Sequence, residues 1–144
     1  ARQDIDELLG NNALPEHLVT LKEHYEFSVK SAKFLSEYIE QNAPIIIPST
    51  VDIVGNQLAV RLVAAAGSLS KLARMPSSTI QLLGAEKALF RHMSDGSQPP
   101  KHGYLYQHPL VRKASKKDRG KISRKLASKV SIASKIDYYG EKNE

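Results

Sequence analysis

The 144-residue sequence contains no cysteine, which removes disulfide staples and thiolate zinc sites together. No stretch approaches the roughly 18 consecutive apolar residues that a membrane span requires, and no secretory leader is visible. The chain begins at Ala1 without a methionine, so a piece of a longer protein is expected, and a sequence without cysteine or visible leader fits a reducing, cytosolic compartment. G-x-S-x-G, the P-loop and G-x-G-x-x-G are all missing, and catalysis has no motif to stand on. His92, Asp95, His102 and His108 fall within 17 residues, but their spacing matches no zinc pattern. No catalytic residue, cofactor or metal is expected. No repeat of the 20–50-residue class appears.

What is present is a basic, half-apolar chain. Hydrophobic residues make up 41%, and 21 Lys and Arg stand against 15 Asp and Glu, for a net charge of +6. That composition suits one ordered domain and permits a polyanionic partner. The charge is unevenly spread. Residues 1–50 carry four basic and eight acidic groups, residues 51–100 five and three, and residues 101–144 twelve and four. Positive charge gathered at one end is the footprint of a nucleic-acid face.

Along the chain the pattern is helical. Residues 1–14 read as a short acidic turn broken by Gly10-Asn11-Asn12. Pro15 opens a helix over 15–42 with a stripe at Leu18, Leu21, Tyr25, Ser28, Ala32, Leu35 and Ile39. This stripe serves a packed helix and a partner-helix seam equally well. Pro44 is expected to end it, and APIIIPST to form an extended linker. Ser49 or Thr50 would cap a buried helix from Val51 to about Ala73. Pro76 starts a further element, with Ser77, Ser78 and Thr79 as cap candidates. Gly84 breaks it, Ala85 to Met93 forms another helix, and 103–106 reads as extended. The last helix is expected from about Ser115 to Tyr139, with Ile122, Leu126, Val130, Ala133 and Ile136 facing inward. Lys117, Lys121, Lys125 and Lys129 repeat along its outer side.

The densest chemistry lies in Met75 to Pro109. Lys87, Arg91, Lys101, Arg112 and Lys113 supply cations suited to phosphates. Tyr104, Tyr106, His92, His102 and Gln107 supply stacking faces and base-edge groups. The bland alternative is a merely solvated basic face. Composition and spacing reach a basic helical domain of nucleic-acid-binding type.

The run Gly84-Ala85-Glu86-Lys87-Ala88-Leu89-Phe90-Arg91-His92 resembles the Nop domain. The resemblance continues through Ala66-Gly67-Ser68-Leu69, Met75 to Gln81, Lys101-His102-Gly103-Tyr104-Leu105-Tyr106-Gln107-His108-Pro109, Arg119-Gly120-Lys121 and Ala133 to Asp137. It covers residues 40–139 and is nearer to the archaeal core protein of box C/D guide ribonucleoproteins than to the U4-associated splicing relative. It implies an all-α fold: a compact helical domain over 44–140, a partial coiled-coil arm over 1–43 and a tail over 141–144.

The implied partners are a kink-turn (box C/D) RNA and the small ribosomal-protein-like binder already seated on it. Gly84, Ala85, Glu86, Lys87 and Arg91 are implied at that contact, with Ala88 to Arg91 near the guide RNA, and His92, Lys101 and His102 are expected among the RNA- or protein-binding residues. Arg119, Lys121, Arg124 and Lys129 match basic positions of the last helix. Gln107 stands where the splicing relative has a base-stacking histidine, a departure from that pattern. The resemblance places fibrillarin-type methyltransferase binding in an N-terminal domain outside these 144 residues. It also implies self-association through helix 15–42. The expected location is cytoplasmic in an archaeon and nucleolar or nuclear in a eukaryote. A protein–protein scaffold or a splicing-type factor is the alternative role.

Overall fold

The computed structural model describes residues 15–140. The acidic turn expected at 1–14 and the tail at 141–144 lie outside them. The described elements are α1 (Glu16–Ile46), α2 (Pro48–Val54), α3 (Asn56–Ala66), α4 (Leu69–Arg74), α5 (Ser77–Leu82), α6 (Glu86–Asp95), a 3-10 turn (Tyr104–Gln107), α7 (Pro109–Lys113) and α8 (Arg119–Tyr139). Helices and no strands are found among the described residues, as the all-α expectation requires. The chain divides into two units, Ala1–Glu37 and Tyr38–Glu144.

Within Tyr38–Glu144 the organising element is α8. It packs against α2, α4, α5, α7 and the 3-10 turn. Its buried face is Ser123, Leu126, Ala127, Val130, Ser131, Ala133, Ser134 and Asp137. Small residues there let several short helices approach closely, while Leu126 and Val130 supply the apolar contact. Leu62, Leu72, Ile80, Leu105 and Val111 complete the core, each fully buried. Ile136, expected inward, is 55% exposed. The helix turns instead on Ala133, Ser134 and Asp137, because Asp137 has a partner to meet. Its carboxylate accepts the Ser49 and Thr50 backbone N–H groups, both at 2.8 Å, and the Thr50 hydroxyl at 2.6 Å. The first turn of α2 is therefore satisfied by a residue 87 positions away and not by Ser49 or Thr50, which lie inside the helix with Pro48 at its first position.

Other boundaries also differ from the sequence reading. Pro44 does not end α1; the helix runs to Ile46, and 44–47 is no extended linker. A proline inside a helix costs about 3 kcal/mol, and here Ala43 and Ile47, each 4% exposed, anchor the backbone on either side of it. The expected single helix over 51–73 is three, broken where Gly55 and Gly67 take φ of 80° and 89°. Ser68 caps the third by accepting the Lys71 N–H. Ser77, Ser78 and Thr79 are helical residues of α5, which starts after Pro76 without a side-chain cap. The stretch 103–106 is not extended: a 3-10 turn spans Tyr104–Gln107. A separate helix, α7, precedes α8, which begins at Arg119 rather than Ser115. Ser115 instead closes the intervening turn, bonding the Asp118 carboxylate and accepting the Asp118 N–H.

Candidate nucleic-acid interface

The corner between α5 and α6 is built on close backbone approach. Gly103 donates its N–H to the Gln81 carbonyl at 3.0 Å, and Tyr104 donates to Leu83 at 2.7 Å. A Cβ at Gly103 would sit 1.9 Å from the Leu83 oxygen. At Gly84 φ is 87°, and a Cβ there would lie 2.7 Å from the Tyr104 ring. Only glycine satisfies both the left-handed backbone and the ring above it. The Gly84 N–H is taken up by Glu86 Oε1 at 2.8 Å, so Glu86 ties down the turn that launches α6. Ala85 stands at the N-cap position of that helix.

Helix α6 buries none of its residues. Lys87 and Arg91 are exposed, and so are Phe90 at 67% and Met93 at 73%. Lys87, Phe90 and Arg91 are spaced i, i+3 and i+4 and share a face. His92 is different: half-buried, it bonds through Nδ1 to the Ser97 carbonyl oxygen. Asp95 accepts the Ser97 N–H at 2.9 Å, which holds its carboxyl below the usual range. His92 and Asp95 thus shape the loop after α6.

Two aromatic layers flank this corner. Tyr104 lies beneath the Arg61 guanidinium at 5.7 Å. Tyr106 stacks on His102 with ring centres 4.7 Å apart and planes 20° from parallel. The Arg119 guanidinium lies 5.4 Å from the Tyr106 ring and donates Nε–H to the Ala114 carbonyl. Burial lowers the His102 pKa below its ordinary value, and the Arg119 and Lys101 charges push it further down. Gln107 is exposed at the end of the 3-10 turn.

Beside these layers runs a groove of about 930 Å³ lined by Ser78, Gln81, Leu82, Pro99, Pro100, Lys101, Lys117, Gly120, Lys121 and Arg124. Gln81 fixes its shape: its amide nitrogen donates to the Lys101 carbonyl at 2.7 Å and approaches that of Gly120 at 3.5 Å. Among the described residues, Lys101, Lys117, Lys121 and Arg124 form no ion pair. Lys129 is exposed on α8, about 12 Å beyond Lys121 at 1.5 Å per residue.

The sequence-derived candidates therefore fall into three groups. Gly84, Ala85, Glu86, Lys87 and Arg91 form the corner and α6; His102 and Arg119 join Tyr106; Lys101, Lys121 and Arg124 face one groove. Lys129 stands apart, and His92 is engaged locally. Sequence reasoning overlooked Arg61, which only the fold brings to Tyr104, and Gln81, a polar side chain between Ile80 and Leu82 that hinted at its role. His108, the last of the four groups whose spacing matches no zinc pattern, accepts the Leu110 N–H through Nδ1. Among the described residues no set of three His, Asp or Glu is arranged to hold a metal ion, and no helix is long and apolar enough to cross a membrane.

Fold and surface together define an all-helical binding module with a basic, aromatic-layered face. The family model described as "Nop: snoRNA binding domain, fibrillarin" matches residues 13–144, and the chain belongs to this Nop family. A NOP5 family protein of Methanocaldococcus jannaschii is 44% identical over 124 residues, covering 86% of this chain and 30% of the relative. Nucleolar protein 56 of Schizosaccharomyces pombe is 38% identical over 141 residues, covering 96% and 27%. Nucleolar protein 58 of the same yeast is 44% identical over 109 residues, covering 76% and 22%. The chain thus spans less than a third of these relatives. The crystal structure of a fibrillarin/Nop5p complex superimposes with a TM-score of 0.70 at 29% identity, over 96% of this chain and 52% of that one.

Proposed function

We propose that this chain is the RNA-contacting assembly module of a box C/D-type ribonucleoprotein. It recognises a composite surface, a kink-turn RNA together with the small ribosomal-protein-like protein seated on it. In that role it supports guide-directed RNA 2′-O-methylation by a fibrillarin-type enzyme held through another part of the longer protein. It is a binding and positioning part, not the catalyst.

The observation that carries this reading is the composition of α6. A helix with no fully buried residue that exposes Phe90 and Met93 beside Lys87 and Arg91 offers both kinds of contact at once. Phosphates need the cations and gain nothing from a methionine and a phenylalanine; a protein surface buries the apolar pair at about 25 cal/mol per Å². Membership of the snoRNA-binding family supports the RNA half, and the likeness to Nop5p in complex with fibrillarin supports the assembly. The exposed Leu21, Tyr25, Phe34 and Leu35 on α1 favour self-association through that helix. Nucleolar relatives favour the nucleolus where the host is a eukaryote.

The double variant Arg91→Ala/Lys121→Ala tests this reading against a protein-only scaffold. Loss of roughly 1–3 kcal/mol per charge-assisted contact in binding the assembled kink-turn complex is expected. Unchanged affinity would favour the scaffold.

A further inference from the structure

The groove between α5, the Pro99–Lys101 loop and the start of α8 has a construction that duplex phosphates alone do not require. We infer that it is a seat for a short single-stranded stretch of RNA, distinct in kind from the composite contact at α6; this rests on the RNA-binding reading above. Its volume, about 930 Å³, is near the top of the range of about 300–1,000 Å³ that ligand sites occupy. Its lining is of two sorts. Leu82, Pro99 and Pro100 give an apolar floor, and Lys117, Lys121 and Arg124 line it from the α8 side. A duplex keeps its bases stacked inside and presents a convex backbone, so it would meet the cations and leave the floor wet. Unstacked bases bury their apolar faces against such a floor while the backbone tracks the cations.

The shape is set before any ligand arrives. Gln81 bonds the Lys101 carbonyl at 2.7 Å, and Gly120 lets the Lys101 side chain lie alongside α8, with a notional Cβ 3.5 Å from Lys101 Cβ. Alanine at 120 therefore fits, whereas a large side chain would project into the space that Lys101 borders. The Lys101 packing therefore accounts for a small residue at 120, not for glycine in particular.

Fluorescence anisotropy of a labelled hexauridylate on the 144-residue chain, with an equimolar RNA duplex as competitor, tests the assignment. The hexanucleotide is expected to bind at low salt and to be displaced at least tenfold less well by duplex than by unlabelled single strand. Gly120→Leu, which alters no charge, is expected to weaken binding at least tenfold. Lys117→Ala/Arg124→Ala reports the same loss should the leucine variant unfold. No binding by the unaltered chain, equal competition by duplex, or unchanged affinity in the lysine–arginine double variant would overturn the assignment. The composite reading is scored separately, because kink-turn complex binding by the unaltered chain can fail while the hexanucleotide binds, and the reverse.

Discussion

At the scale of single residues, the structure separates glycines that look alike in sequence. Gly84→Ala must both enter the left-handed region and push the Tyr104 ring away. It is expected to destabilise by about 1–3 kcal/mol or more, read from urea midpoints. Gly120→Ala meets only ordinary contact and is expected to stabilise by about 0.5–1 kcal/mol through the helix preference of alanine. Asp137→Ala strands the buried Thr50 N–H and hydroxyl and the part-buried Ser49 N–H, and a loss of about 2–3 kcal/mol follows from the worth of charge-assisted bonds. His102 adds a pH signature. Its folded pKa is below the ordinary 6.5, first through burial, so the unfolded chain binds more protons in that window. Stability is full above about pH 6.5 and falls as pH drops through the folded value. His102→Gln is expected to flatten the decline of melting temperature between pH 7 and 5. An unchanged slope would assign that decline to other groups.

At the scale of elements, periodicity exposed the helical class and the broad placing of α1, α5, α6 and α8. The reasons are local: apolar spacing, the Gly84 break and the run of lysines along α8. Boundaries that depend on distant partners were not legible. Nothing near Ser49 announces that Asp137 will cap α2, and the break at Gly55 is hidden in a run that reads as one buried helix. Pro44 carries a local stop signal that the burial of Ala43 and Ile47 overrides. For the interface, the cations were legible as a charge excess, but the pairing of Arg61 with Tyr104 and of Lys101 with Gly120 belongs to tertiary contact. Helix α1 yields a prediction at this scale. Leu21, at 65%, and Leu35, at 57%, are far more exposed than core leucines. Leu21→Glu/Leu35→Glu is expected to leave the melting transition of the 38–140 unit unchanged and to abolish concentration-dependent association in sedimentation velocity. Association persisting in the variant would move the self-contact elsewhere.

At the scale of the whole molecule, the charge gradient and the fold divide the labour. The acidic first third supplies most of α1, and the basic last third supplies α7, α8 and the cationic side of the groove. Phosphate contact alone gives salt-sensitive, sequence-tolerant binding, whereas the exposed Phe90 and Met93 of α6 add apolar surface that phosphates do not use and that, on the proposed reading, a second protein covers. Affinity should therefore depend on what already sits on the RNA. The direct measurement is a mobility-shift titration of this chain with a kink-turn RNA, bare and preloaded with its primary binding protein, at rising salt. Weak, salt-labile binding to bare RNA and tight, more salt-resistant binding to the preloaded complex is the predicted result. Equal affinity for bare kink-turn, preloaded kink-turn and arbitrary duplex would contradict composite recognition.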